Sequence, residues 1–390
     1  MENYMRSLFS SLKRSLLFLP LVLLVLTSCN QGSSVDRALD GTALHEVWKQ
    51  DIGAPVNHPP LRVGEVLVVV PDKKPMLGLD VETGKTLWEY DPGVRVWDRA
   101  YASDGERVFV GIEGGKLVAL NPSTGKVLWE VELGINAQVP PFVGDSVVYV
   151  STTYAGAGLI GDPNGKAKLF AIAPQDGHIL WEFESDDYVL QSPFRVGDTV
   201  YLSGSYYMPK KLPEGGYMRL YSLNAADGVE RWHFESEDGF TKQLYATDEA
   251  VSYIAYQDFT VGVDAATGNE IWRNDAGNWV PTLSGAGDVI YFGSANTKVN
   301  AVNVNDGRLV WEFDIPQGTF NYVLGAPVRA GGDVVFLTQL GDIFAVDAAT
   351  GAMRWSMSTG LIGARIGLTV SNGWLFFGDA EGLLHAYTDR

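Results

Sequence analysis

A single cysteine, Cys29, stands in 390 residues, so the chain can close no internal disulfide and carries no pair of adjacent thiols. Histidine is also scarce: His45, His58, His178, His233 and His385 lie far apart without metal-ligand spacing, which argues against a zinc site. Basic residues are outnumbered, 29 Lys and Arg against 47 Asp and Glu, and beyond residue 28 the balance is 26 against 46. So acidic a chain is not expected to bind nucleic acid. Helical periodicity is nearly absent after residue 40. No Gly-x-Ser-x-Gly elbow occurs, and Gly84-Lys-Thr fails as a P-loop because the upstream glycine is misplaced and a strand-like stretch follows. No catalytic constellation emerges, and no catalytic or metal-ligating residue is expected.

What is present is a repeat. Trp48, Trp88, Trp129, Trp181, Trp232, Trp272, Trp311 and Trp355 recur at separations of 40, 41, 52, 51, 40, 39 and 44 residues. Seven of them follow a glycine by four positions, as in Asp80-Val-Glu-Thr-Gly-Lys-Thr-Leu-Trp88. Periods of this length with strand-like flanks mean a propeller or a solenoid. Each period reads as four short strands: Val108 to Ile112 is apolar, Glu113-Gly-Gly turns it, Lys116 to Leu120 returns, Asn121 to Gly125 turns again, and Val127 to Val131 runs outward. The turn glycines supply the positive φ that tight hairpins require. Asp104, Asp145, Asp198, Asp248, Asp288 and Asp333 fall at the tips of first hairpins and are expected to be solvated.

Two positions before the turn Asp or Asn, each copy has a small residue: Gly78, Ala119, Ala171, Ser222, Gly262, Ala301, Ala345 and Ala386. A wide indole needs a flat surface to lie against, so each Trp is expected to pack, fully buried, on the small residue of an adjacent blade, gaining roughly 2–3 kcal/mol of apolar transfer. The C-terminal stretch offers three strands, around Ala364 to Val370, Trp374 to Phe377 and Leu383 to Tyr387, and then stops. His45 to Gln50 carries a Trp strand without preceding strands of its own. The expected fold is therefore all-β, an eight-bladed β-propeller of four-stranded antiparallel blades, closed by the N-terminal strand joining the C-terminal blade.

The units Leu117-Val-Ala-Leu-Asn-Pro-Ser-Thr-Gly-Lys-Val-Leu-Trp129 and Phe344-Ala-Val-Asp-Ala-Ala-Thr-Gly-Ala-Met-Arg-Trp355 resemble the repeat of quinoprotein-type propellers, the PQQ-like superfamily, over residues 44 to 390. In the dehydrogenases of that superfamily the resemblance implies PQQ in the central channel with calcium beside it. Adjacent cysteines commonly cap the quinone there, and this chain has none, so no cofactor is expected. The resemblance extends to envelope lipoproteins of outer-membrane β-barrel assembly, which are similar in length, anchor and blade number and in the ending Leu375 to Tyr387. The acidic, arginine-bearing loop by which such a propeller docks is not found.

Arg6, Lys13 and Arg14 precede an apolar run from Leu16 to Leu26, interrupted by Pro20, and then Leu26-Thr-Ser-Cys29. The run is too short to span a bilayer and fits a signal-peptide core. Leu-Thr-Ser-Cys resembles the bacterial lipobox, which implies lipidation at Cys29. The expected organisation is a lipoprotein signal peptide over 1–28, a flexible tether over 29–43 and the propeller over 44–390. The resemblance implies an exported protein, lipid-anchored at a bacterial membrane on its periplasmic or extracellular face.

Two adjacent blades are longer than the rest between their second and third strands, at Tyr154 to Gly165 and Tyr206 to Tyr217. Tyr154, Tyr206, Tyr207 and Tyr217 on these insertions suit partner or ligand contact. The crossings between blades emerge on the same face and carry Trp97, Arg99, Gln191, Lys242, Trp279, Tyr322 and Arg365, which should rim the channel and form the principal recognition surface. The functional expectation is a non-enzymatic, membrane-tethered scaffold for a protein partner or small ligand. The alternatives are a subunit of outer-membrane β-barrel assembly and a PQQ-dependent oxidoreductase.

Overall fold

The computed structural model describes residues 37–390, apart from 145, 154–165, 188, 206–217, 237–242, 256–258, 277–279, 281, 317–320 and 361–366. Its described residues form eight antiparallel sheets, seven of four strands and one of five. Blade 1 comprises Leu61–Val63, Val66–Val69, Met76–Asp80 and Thr86–Tyr90, and the pattern continues to blade 7, which ends in Met353–Ser358. Blade 8 is assembled from both ends of the chain: Thr369–Ser371, Trp374–Gly378 and Leu383–Thr388 are completed by His45–Asp51, paired antiparallel from His45↔Thr388 to Asp51↔Leu383. With both chain ends spent in one sheet, neither leaves an unpaired edge within the ring.

The apolar pattern explains why the sheets stack. Second and third strands are buried along nearly their whole length, as in Val108–Ile112 and Trp374–Gly378, because both faces meet a neighbouring blade. Outer strands alternate between half-buried and exposed positions, as in Val127–Glu132. On that outer surface one ion clamp recurs. Lys116 reaches Glu130 and Glu132 at 3.0 and 3.1 Å, and Lys168 reaches Glu182 and Glu184 at 3.0 and 3.6 Å. Lys298 sits the same way between Glu312 and Asp314.

Each tryptophan is held from two sides, though not as its flanking sequence suggests. The small residue proves to be the cross-strand partner within the same blade, Gly78↔Trp88, Ala119↔Trp129 and so on to Ala386↔Trp48, because the third and fourth strands pair in that register. The adjacent blade contributes the turn glycine instead. A Cβ built on Gly84, Gly125, Gly177, Gly228, Gly268, Gly307 or Gly351 would lie closer than 3.0 Å to the indole of the preceding blade. The adjacent blade also supplies a carbonyl. Trp48, Trp88, Trp129 and Trp181 donate Nε1–H to Val81, Pro122, Pro174 and Ala225. Trp232, Trp272 and Trp311 donate to Ala265, Val304 and Ala348, all at 2.7–3.1 Å within the set of seven. Only Trp88, Trp272 and Trp311 are buried; the other five are half-buried, because the outer strand leaves one edge of the ring toward solvent.

The eighth clamp corrects the expected tether. Trp355 donates to the carbonyl of Leu39 at 3.0 Å, and Gly41 lies against its ring where the other seven meet a turn glycine. Leu39 is buried, Arg37 pairs with Asp389, and Asp40 N–H donates to Asp389 Oδ2 at 2.8 Å. Residues 37–43 thus complete the blade 8 turn that the chain ends leave broken, and the folded unit begins before residue 44. Asp333 also departs from its expected solvated place. It is buried beneath Arg354, 3.4 Å from its Nε, and burial raises its carboxyl above the ordinary value.

Candidate docking face at the channel mouth

Each first strand begins at the crossing from the preceding blade, so all crossings and all second-to-third-strand turns lie on one face. On that face the inner strands are tied to one another around the ring. Tyr101 OH donates to Pro59 O at 2.8 Å, and the Ser284 and Thr369 hydroxyls donate to the Pro327 and Pro60 carbonyls. Gln243 Oε1 accepts from Leu283 N–H of the next blade at 3.1 Å. Such bonds hold the channel wall rigid, as a preformed contact surface requires.

Blade 2 breaks the regularity. Its first strand, Val96–Ser103, pairs Val96↔Ile112 and then Tyr101↔Val110, so Trp97 to Ala100 bulge out opposite Gly111. Blade 4 also shifts between Leu190↔Gly204 and Phe194↔Tyr201, and blade 7 between Val323↔Thr338 and Val328↔Val335, but among the described residues only blade 2 sets four residues against one. Gly111 is needed there because a Cβ would strike the Ala137 carbonyl and approach Ala100. A bulge re-aims side chains, and bulges concentrate at rims and functional sites. This one leaves Arg99 exposed at the channel mouth.

The neighbouring groups form a polar cluster. Arg95 lies 4.7 Å over the Trp97 ring and 3.8 Å from Asp72. Asn57 Nδ2 donates to Asp98 Oδ2 at 3.4 Å. Burial lowers the His58 imidazole to about 4; Asp98 opposes that shift and Arg99 adds to it, so His58 is neutral at pH 7. Three buried donors, Arg95 Nε, Trp97 Nε1 and Gln138 Nε2, have no hydrogen-bond partner among the described residues. Buried unpaired donors are uncommon and call for an explanation such as an acceptor supplied from outside.

The residues singled out in the sequence divide accordingly. Trp97 and Arg99 share the bulge, but Trp97 is only 8% exposed under Arg95, so it braces the cluster and offers no open ring. Gln191 is buried with its N–H bonded to Ser203 O, two blades on from the bulge, and Tyr322 is half-buried with its carbonyl accepting from Gln339 N–H. Lys242, Trp279, Arg365, Tyr154, Tyr206, Tyr207, Tyr217 and the lipidation candidate Cys29 lie outside the described residues. Asn136 and Asn321 serve turns, accepting from Gly114 and Leu340 N–H at 3.2 and 3.3 Å. The bulge itself was not read from sequence. Gly111 inside an apolar strand was its signal, since a strand-interior glycine marks a bulge or a close approach.

A family model described as "Outer membrane protein assembly factor BamB" matches residues 37–133, 91–206, 134–238 and 216–368. The chain belongs to the BamB family. Among relatives, BamB of Burkholderia pseudomallei (strain K96243) is 23% identical over 357 residues, covering 77% of this chain and 87% of that protein. BamB of Yersinia pestis is 24% identical over 245 residues, covering 56% of each. The serine/threonine-protein kinase AfsK of Streptomyces griseus is 34% identical over 105 residues, which is 25% of this chain and 13% of the kinase. The chain thus spans well under two thirds of some of the relatives it matches. Among solved structures, BamB from Moraxella catarrhalis superposes with a TM-score of 0.63 at 18% identity, covering 88% of this chain and 99% of that one. Quinohemoprotein alcohol dehydrogenase from Comamonas testosteroni gives 0.69 at 14% identity, covering 90% and 78%, a likeness of fold alone.

That last likeness raises the question of a quinone at the channel mouth. The described aromatic at the bulge, Trp97, is capped by Arg95 where a quinone would need an open face. Among the described residues no group of three or more His, Cys, Asp or Glu could hold a metal ion.

Proposed function

We propose that this protein is a scaffold of the bacterial envelope, a subunit of outer-membrane protein assembly that docks a protein partner on its crossing face. The observation that carries the reading is the BamB family match, which runs with overlaps from residue 37 to residue 368 and so embraces most of the ring. The bulge in blade 2 supports the choice of face. It presents an exposed arginine, Arg99, over a cluster with three buried donors that lack acceptors among the described residues, a charge suited to an acidic partner segment. In the same reading the N-terminal residues direct export and Cys29 carries lipid, tethering the ring to a membrane. Neither a catalytic step nor a redox group enters it.

The test is purification of the tagged full-length protein from bacterial membranes, with its bound partners identified. A component of outer-membrane β-barrel assembly is expected. Retention of a quinone chromophore with alcohol oxidation, or purification with no partner of that machinery, would overturn the reading.

A further inference from the structure

The crossing from blade 3 to blade 4 touches all four roots of the two insertions through residues 185–187 and 189–191. Ser185 N–H donates to Ala167 O at 3.0 Å and Ala167 N–H returns a bond to Asp187 O at 2.9 Å, at the far root of the first insertion. Leu190 N–H reaches Thr152 O at 3.3 Å, and Val189 bridges Thr153 at the near root. Val189 and Leu190 then pair with Ser205 and Gly204 at the near root of the second insertion. Its far root opens the strand Met218–Asn224, from which Tyr221 OH donates to the Asp187 carboxylate.

Asp187 is the centre of this crossing and is wholly buried. Its Oδ2 accepts from Tyr221 and, at 2.7 Å, from Ser185 Oγ, while Oδ1 has no donor among the described residues. Gly204 leaves the space, since a Cβ there would overlap the carboxylate. The charged groups around it come from every packed element. Asp186 lies on the crossing itself and pairs with Lys166 at 2.9 Å; Arg219 lies beside Tyr221 on the third strand of blade 4 and pairs with Glu235 of the fourth at 2.8 Å. On that fourth strand His233 stands opposite Tyr221, ring centroids 6.1 Å apart, and the second strand contributes Gly204.

We propose that residues 185–187 and 189–191 form a proton-controlled clamp: protonated Asp187 holds the four roots in one arrangement, and its ionisation loosens them. A neutral carboxyl leaves no uncompensated charge at the bare Oδ1, whereas a carboxylate does so in a place water does not reach. Burial holds the Asp187 carboxyl above its ordinary range against the opposing bonds from Tyr221 and Ser185 and the charge of Arg219. The closed clamp therefore binds the proton more tightly than the opened one. Its advantage is complete below the ordinary carboxylate value, about 4, and is lost as pH rises through the raised value.

Hydrogen exchange on the full chain between pH 4 and pH 8, corrected for intrinsic rates, tests this at the amides of Ala167, Leu190 and Gln191. Their opening should grow with pH, approaching about tenfold per unit between the two values, while the Gln339 amide across the ring stays level. Asp187→Asn should abolish the dependence. Tyr221→Phe, which removes a donor to the carboxylate, should extend the rise to higher pH and serves if the first variant fails to fold. Equal pH dependence in wild type and Asp187→Asn, a flat wild-type profile, or no shift in Tyr221→Phe would overturn the clamp.

Discussion

At the scale of single residues, the fold rests on a clamp repeated eight times: an indole between its own blade's small residue and the next blade's glycine, its N–H on a carbonyl of that blade. Gly307 occupies φ +71° and lies against Trp272, so Gly307→Ala combines a left-handed backbone with overpacking. It should cost about 2–4 kcal/mol in chemical denaturation. Gly78→Ala should cost about 1–3 kcal/mol, although alanine is native at Ala119 in the next blade, because a Cβ at Gly78 would overlap the Trp88 ring. His58 carries a pH dependence with a definite sign. Its folded value, about 4, lies below the usual one, so the unfolded chain binds the proton more readily and stability falls as pH drops from about 6.5 toward 4. The loss is on the order of 2–3 kcal/mol, and His58→Gln should flatten that limb of a denaturation series against pH.

The strands themselves were legible at the next scale up, and the reasons are local. Asp80 shows why: its Oδ1 accepts from Thr83 N–H and Oγ1 within one turn, so the Asp-x-x-Thr-Gly string encodes its own hairpin. Closure by His45–Asp51 was legible because a Trp strand stood without partners at one end and three strands stood without a fourth at the other. What escaped depends on contacts distant in sequence. Asp187 meets Tyr221 34 residues on, and Leu39 meets Trp355 316 residues on, so no motif announces either. The bulge lay between, marked by Gly111 but fixed by the approach of Ala137 from the next crossing. Gly111→Val should push that crossing aside and weaken partner capture by tenfold or more, read by co-purification, while circular dichroism still reports a folded sheet protein. Removing residues 37–43 should expose Trp355, and its emission should shift to the red with a loss of about 2–4 kcal/mol.

For the whole molecule, a closed ring puts every crossing on one face and spends both chain ends at blade 8, leaving the channel mouth as a continuous surface for a partner. Arg99, exposed on the blade 2 bulge, stands on that face, whereas Glu106, exposed at the hairpin tip of the same strand pair, stands at the opposite end. A photo-crosslinking residue placed at each position in turn, in cells, compares the two faces of one blade directly. Capture of an outer-membrane assembly component from position 99 and not from position 106 is the predicted result. Equal capture from both, or capture from 106 alone, would contradict docking at the channel mouth.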